Sequence, residues 1–269
     1  MRTTRNGGFT LVELMIVVAI VATISSIAVP KMLSARVASN ENAAISTMRA
    51  IASAQAQLEA SCAIDTDADG GGEYGYFGEM AGVAPLRIWT AGGIALDGNA
   101  LTLDPPILPT PFGNTILNAN GEAVVERAGY FFKIYLPAAT VNLDIAGVPE
   151  TGPNGIGGAT AGNFPDPDNS EIMWCCYGWP ETAESTGNRV FFINQEGDVI
   201  QTLNNEGGSN TTAFYDDADN GPAYDAAFSD MAGDPNPNSI TGMSAALGIT
   251  AMGEVATDGN VWTVCGSSQ

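Results

Sequence analysis

Gly7-Gly8-Phe9-Thr10-Leu11-Val12-Glu13-Leu14-Met15-Ile16-Val17-Val18-Ala19-Ile20 opens an apolar run that continues to Val29-Pro30. From Phe9 to Val29 the run counts 21 residues, and Glu13 is its one charged member. At about 1.5 Å per residue, a helix of this length reaches roughly 30 Å, the thickness of a bilayer's hydrocarbon core. Arg2 and Arg5 precede it, and basic flanks favour the cytoplasmic side. The stretch therefore predicts one membrane-spanning helix, with the rest of the chain exported. The run is longer than the apolar region of a signal peptide, and no small-x-small cleavage site follows it. The small pair Gly7-Gly8 stands in front of it instead.

Glu13 is the costly residue. An ionised carboxylate within hydrocarbon costs about 2.5–3.5 kcal/mol even on lenient insertion scales. Two readings are open: a side chain that snorkels to the headgroups, or a carboxylate that meets a cation from another subunit.

The segment resembles the class III signal of type IV pilins and type II secretion pseudopilins. In that family a prepilin peptidase cuts after the glycine, the new N-terminal Phe is methylated, and Glu is the fifth mature residue. Here the cut falls between Gly8 and Phe9, which makes Glu13 fifth and places Pro30 where the family also carries a proline. The motif spans roughly residues 5–30. The resemblance implies that Glu13 pairs with the methylated α-amino group of Phe9 on a neighbouring subunit. Two opposite charges away from water are tolerable when paired.

After Pro30 the periodicity changes. Small or apolar residues recur at Val37, Ala44, Met48, Ile51, Leu58 and Cys62, opposite Asn40, Glu41, Asn42, Ser46, Arg49, Ser53 and Gln57. These spacings predict an amphipathic helix over 31–62. Alanine-rich sequence between 43 and 60 supports it. Pro30 removes one backbone bond where lipid gives way to water and is expected to bend the helix.

The formal charge of −21 becomes −23 if Arg2 and Arg5 leave with the leader. Phosphate contacts need clustered Lys and Arg, so nucleic acid is not an expected partner. Histidine is absent, which excludes His-based acid–base catalysis and His-ligated zinc. No nucleophile elbow, P-loop or dinucleotide fingerprint occurs, and the carboxylate pairs lie in Gly/Asp turns. Enzyme activity is not expected.

Two acidic runs are candidate calcium loops: Asp65-Thr66-Asp67-Ala68-Asp69-Gly70 and Asp216-Asp217-Ala218-Asp219-Asn220-Gly221. Alternate carboxylates before a glycine can converge on a hard cation. The first lacks the Glu six residues after the glycine, where Tyr76 stands. Solvated Asx turns are the competing reading for both. The four cysteines, Cys62, Cys175, Cys176 and Cys265, are candidates for disulfides in an exported domain, with the pairing left open.

In the remainder, Gly129–Leu136 reads as a strand closed by Pro137, as does Ile172–Pro180. Arg189–Asn194 and Val199–Thr202 read as a hairpin, and Asn260–Cys265 as a final short strand. Residues 73–82 read as an aromatic loop packed on the helix, and 104–111 as an extended Pro-rich connection. Residues 147–167 and 203–239 read as long irregular excursions, with a turn or weak helix at Tyr224–Met231. The expected fold is α+β: a long N-terminal helix packed on an antiparallel sheet, with Gly-, Asp- and Pro-rich loops. The expected divisions are a leader at 1–8, a transmembrane and assembly helix at 9–30, an amphipathic helix at 31–62 and an extracytoplasmic head at 63–269.

The resemblance implies a structural subunit of a type II secretion pseudopilus. It would sit in the inner membrane with its head outside the cytoplasm, and assemble with copies of itself or other pilin-like subunits. A type IV pilin, or a minor tip subunit that binds a surface or secreted partner, is the alternative. The pilin-type C-terminal disulfide loop has no counterpart here, since Cys176 is the nearest cysteine before Cys265.

Overall fold

A computed structural model of the chain describes residues 9–96, 101–141, 144–152, 157–160, 162–204, 213–228, 241–243, 245, 247 and 256–265. Helix α1 (Leu11–Ser61) is continuous through Pro30. It starts on a capping box, in which Thr10 Oγ1 accepts from the Glu13 N–H and the Glu13 carboxylate accepts from the Thr10 N–H. It ends at Cys62, whose φ of 46° places it in the left-handed region. That position is exposed, so Cys62 is a helix cap rather than part of the apolar face to which the periodicity assigned it. A non-glycine residue here accepts some strain to stop the helix, a role usually given to glycine.

The apolar face is real from Val37 onward. Val37, Ala44, Met48, Ile51, Ala54 and Leu58 are buried, whereas residues 9–36 are exposed throughout. Full burial of a Met, Ile or Leu side chain is worth roughly 1.5–3 kcal/mol each. Gln55 is buried on the same face because Gly75 meets both ends of its amide, at 2.7 and 2.9 Å. Asn40 and Glu41, placed opposite the apolar face by their spacing, bond the backbone of Thr186 (3.0 Å) and Asn188 (3.0 Å).

The helix lies on an antiparallel sheet. Strands β3 (Ile116–Leu117), β4 (Ala123–Arg127), β5 (Tyr130–Pro137), β8 (Cys175–Pro180), β9 (Arg189–Asn194), β10 (Ile200–Leu203) and β12 (Thr263–Val264) run in the order β12-β10-β9-β8-β5-β4-β3. β7 (Gly147–Pro149) adds to the end of β5. A small hairpin, β1 (Arg87–Thr90) with β2 (Gly93–Leu96), stands apart, and β6 (Asp144–Ile145) pairs in parallel with β11 (Thr241–Gly242). The expected strands over 129–136, 189–194 and 199–202 are present. The one expected over 172–180 begins three residues late, because Asp166 caps and Pro167 initiates a short helix, α3 (Pro167–Ile172).

Every residue of β5 is buried, since both faces of the sheet are covered. Tyr130, Phe132, Ile134 and Leu136 face α1 together with Cys176, Phe191 and Ile193. Phe131 and Tyr135 face the other way with Cys175, Tyr177, Trp179, Val190 and Phe192, under Tyr215, Phe228 and Trp262. The period of two thus sorts each strand between two cores. Gly178 makes room for the Phe132 ring of the neighbouring strand, on which a Cβ there would press at 3.0 Å.

Of the two excursions read as irregular, 147–167 contributes β7 and carries α3 at its end. In 203–239 the described part ends at Phe228, with turns over 224–227. The rest of the suggested Tyr224–Met231 element lies outside the described residues.

Candidate functional site

Phe9, just ahead of α1, and Leu11, Leu14, Ile16, Val17 and Ile20 in its N-terminal third face outward, all more than half exposed. Its mean hydropathy reaches 2.5 over eighteen residues, none of them buried. No element of the head covers it among the described residues. Glu13 is exposed and its carboxylate is held locally, accepting from Thr10 N at 2.9 Å and Thr10 Oγ1 at 2.8 Å. Pro30 lies within the helix, and the Ser34 hydroxyl donates to its carbonyl at 3.2 Å. Phe9 is exposed just before the cap, and Gly8 lies outside the described residues.

At the other end of α1 the first acidic run closes on itself. Ligand oxygens of Asp65, Asp67 and Asp69 lie within 4.8 Å of one another. Asx-type bonds shape the loop: Asp65 accepts from Ala68 N (2.7 Å) and Gly70 N (3.2 Å), and Asp69 accepts from Gly71 N (2.7 Å). A fourth carboxylate, Glu171 of α3, lies beside the loop. A Cβ on Gly71 would collide with the Glu171 carboxyl, so glycine is what admits it. Glu171 Oε1 is shut off from solvent and has no hydrogen-bond partner among the described residues. Desolvation, then the charges of Asp69 and Asp67, push Glu171 above the ordinary carboxylate range. Desolvation and the neighbouring Asp69 and Asp65 do the same to Asp67. Sequence spacing pointed to position 76 for the missing acid; the fold brings one from 95 residues further on, at Glu171.

The second run is put to a different use. Asp219 accepts from Ala119 N (2.6 Å), Asp216 from Ala183 N (2.8 Å) and Asp217 from Asp219 N and Asn220 N (2.8 and 3.1 Å). These carboxylates pin loops together, and the one converging acidic trio among the described residues is that of Asp65, Asp67 and Asp69. The four cysteines considered for disulfides are all free thiols. Adjacent Cys175 and Cys176 point to opposite faces of β8, each into a separate core, and Cys62 is exposed. Burial pushes the thiols of Cys175 and Cys176 up, which makes them unreactive.

Two buried acidic features carried no signal in the sequence. Arg87 is held between Glu73 (2.8 Å) and Glu79 (3.0 Å), all three inaccessible to solvent. Close by, Glu150 has no cation of its own among the described residues. Its Oε1 accepts from Gly78 N (2.8 Å) and Gly158 N (2.6 Å), and its Oε2 from Phe77 N (3.3 Å). It thereby ties the 150–158 segment to the start of α2 (Phe77–Met80), the helical turn inside the aromatic loop that packs on α1.

Burial, aided by nearby Glu79 and opposed by those three N–H groups, pushes the Glu150 carboxyl from 4.5 up to about 7. The folded state then holds its proton more tightly than the unfolded one. Glu150's contribution is fully present below pH 4.5 and is lost as pH rises through 7, a change of about 3 kcal/mol. Thermal melts from pH 4 to 8 are expected to show this decline and Glu150→Gln to flatten it. A wild-type midpoint that climbs across the same window contradicts the assignment.

Residues 3–29 match the family model of the prokaryotic N-terminal methylation motif. No curated protein and no solved structure matches the chain. The matched span ends just before Pro30, and from Leu11 to Val29 it lies on the bare portion of α1. With that helix running unbroken onto an antiparallel sheet, the chain carries a class III prepilin-like signal on a pilin-like α+β fold.

Proposed function

We propose that the chain is a structural subunit of a type II secretion pseudopilus. In this reading residues 1–8 are removed by a prepilin peptidase, Phe9 becomes N-methylated, and 9–30 serve first as membrane anchor and then as assembly element. Residues 31–62 carry that element into the head, 63–269. The observation that carries the reading is the bare apolar third of α1, marked by the methylation motif and rigidly continuous with the head. A surface of this kind needs lipid or neighbouring subunits to cover it. Free Cys265 favours a pseudopilin over a pilin with a C-terminal disulfide loop. Mass spectrometry of the mature protein is expected to find N-methyl-Phe9 and no residues 1–8. An intact Met1 start refutes the processing. Deletion of the gene is expected to block protein secretion and leave surface pili in place. The reverse outcome favours the alternative, a type IV pilin or minor tip subunit.

We infer further that Asp65, Asp67, Asp69 and Glu171 hold calcium. The supporting observation is the solvent-shielded, unpartnered Glu171 oxygen beside the three aspartates. Oxygen ligands without nitrogen or sulfur suit a hard cation. A ligand that binds only the folded state, present at a hundred times its Kd, adds about 2.7 kcal/mol. Millimolar calcium is thus expected to raise the melting midpoint by roughly 5–10 °C over chelator. Asp67→Asn and Glu171→Gln are each expected to remove most of that rise. An unchanged wild-type midpoint retires the site.

A further inference from the structure

Lys133 stands in the middle of β5, where every residue is buried. Its ammonium reaches Glu122 Oε2 at 2.5 Å and lies 4.7 Å from the centre of the Tyr135 ring. Burial pushes this ammonium below the ordinary lysine range, against the pull of Glu122. An amine so placed is closer to its neutral, nucleophilic form than a lysine in water.

The same Glu122 oxygen accepts from Asn118 Nδ2 at 2.8 Å. Asn118 follows β3 and opens the turn into β4. Its Oδ1 accepts from the N–H groups of Asn120 (3.0 Å) and Glu122 (2.8 Å). Those two donors fix which end of the amide is the oxygen. An Asx turn explains the Asn120 bond, and an ion pair explains Lys133 beside Glu122. Neither requires the amine and the amide nitrogen to meet on one carboxylate oxygen. Three needs of acyl transfer come together there: a nucleophile, a proton carrier touching both nucleophile and leaving group, and two N–H donors on the carbonyl oxygen.

We propose that Lys133 and Asn118 join in an intramolecular isopeptide bond, with Glu122 as the proton carrier. Glu122 takes a proton from the Lys133 ammonium, and the freed lone pair of Nζ attacks Asn118 Cγ. The charge that develops on Oδ1 is held by the N–H groups of Asn120 and Glu122. Glu122 returns its proton to Nδ2, and the Cγ–Nδ2 bond breaks as the carbonyl re-forms. The departing ammonia takes the surplus proton of Nζ and leaves as ammonium. The reaction exchanges one amide for another and needs no oxidant or cofactor. The bond ties the turn after β3, the two-residue strand at the edge of the sheet, to buried β5. It does so whether or not the chain assembles into a filament.

The test is the mass of the full-length chain, purified and then incubated for days at neutral pH. The segment between Arg87 and Arg189 is expected to be lighter than its sequence by one ammonia. Trypsin is expected to leave Lys133 uncut and to release 88–127 joined to 128–189 as one branched peptide. Glu122→Gln and Lys133→Met are each expected to keep the ammonia and to give separate peptides. Because the bond closes a loop of 16 residues, 118–133, cross-linked chains are expected to melt roughly 6–12 °C above unlinked ones. Separate peptides from the incubated wild type, with Asn118 and Lys133 intact, overturn the proposal and leave an ion pair only; this reading needs no variant to fold. Loss of ammonia that persists in Lys133→Met also overturns it, since the loss then belongs to ring closure at an Asn such as Asn120, which precedes Gly121.

Discussion

Arg87→Ala is expected to cost 3–5 kcal/mol, roughly the loss from breaking a buried ion pair by removing one partner. For a head of this size that is a fall of roughly 10 °C or more in melting midpoint. The side chain is fully buried, donates to Glu73, Glu79 and the Tyr74 carbonyl (2.6 Å), and lies 5.8 Å from the Tyr76 ring centre. Glu73 also accepts from the Thr66 N–H (2.6 Å) and from the Thr66 hydroxyl, so it holds the acidic loop as well. Without the guanidinium, two carboxylates remain in a dry site close to Glu150, and burial already pushes Glu79 up. The damage should come from those stranded acids rather than from lost volume. Arg87→Met combined with Glu73→Gln and Glu79→Gln is therefore expected to recover most of the loss. A single variant that melts within about 2 °C of wild type would show that the pair is dispensable.

Glu13→Ala is expected to leave membrane insertion intact and to reduce filament yield by more than tenfold. The capping box complicates this, because Glu13 also accepts from Thr10 N and Oγ1. Loss of a cap costs about 0.5–2 kcal/mol of helix stability by itself. Glu13→Gln separates the two roles: glutamine can serve at the third helical position, but it brings no charge. If the carboxylate pairs across subunits with the Phe9 amine, the Gln variant fails to assemble as the Ala variant does. Filaments from Glu13→Gln at wild-type yield would instead make Glu13 a cap. Thr10→Ala, which weakens the cap and keeps the charge, is expected to assemble.

The parts of the fold that the sequence disclosed are those written in local periodicity. Phe9–Val29 declares itself by unbroken hydropathy, Val37 to Leu58 by helical spacing, and β5 and the β9–β10 hairpin by dense aromatic and branched residues. The termination of α1 was hidden, since Cys62 fits the apolar spacing yet serves as an exposed left-handed cap. β4 and the β1–β2 hairpin were missed because four- and five-residue strands at partly exposed positions carry little alternation. The candidate site divides the same way. The spacing of Asp65, Asp67 and Asp69 is a local fact, and their convergence followed from it. Glu171 and Glu150 owe their roles to contacts across 72 to 104 residues of chain, for which no local pattern exists. Asp216, Asp217 and Asp219 show the converse, a promising pattern that tertiary contacts with Ala183 and Ala119 spend elsewhere.

The first residue of α1 to join the head's core is Val37. Everything that folds the head therefore lies on one side of that point, and everything that anchors the chain lies on the other. Lipid, detergent or the helices of neighbours can replace one another around residues 9–36 without disturbing a core contact. On the proposed reading, the subunit would leave a bilayer and enter a filament as a finished part, with no refolding at the moment of transfer.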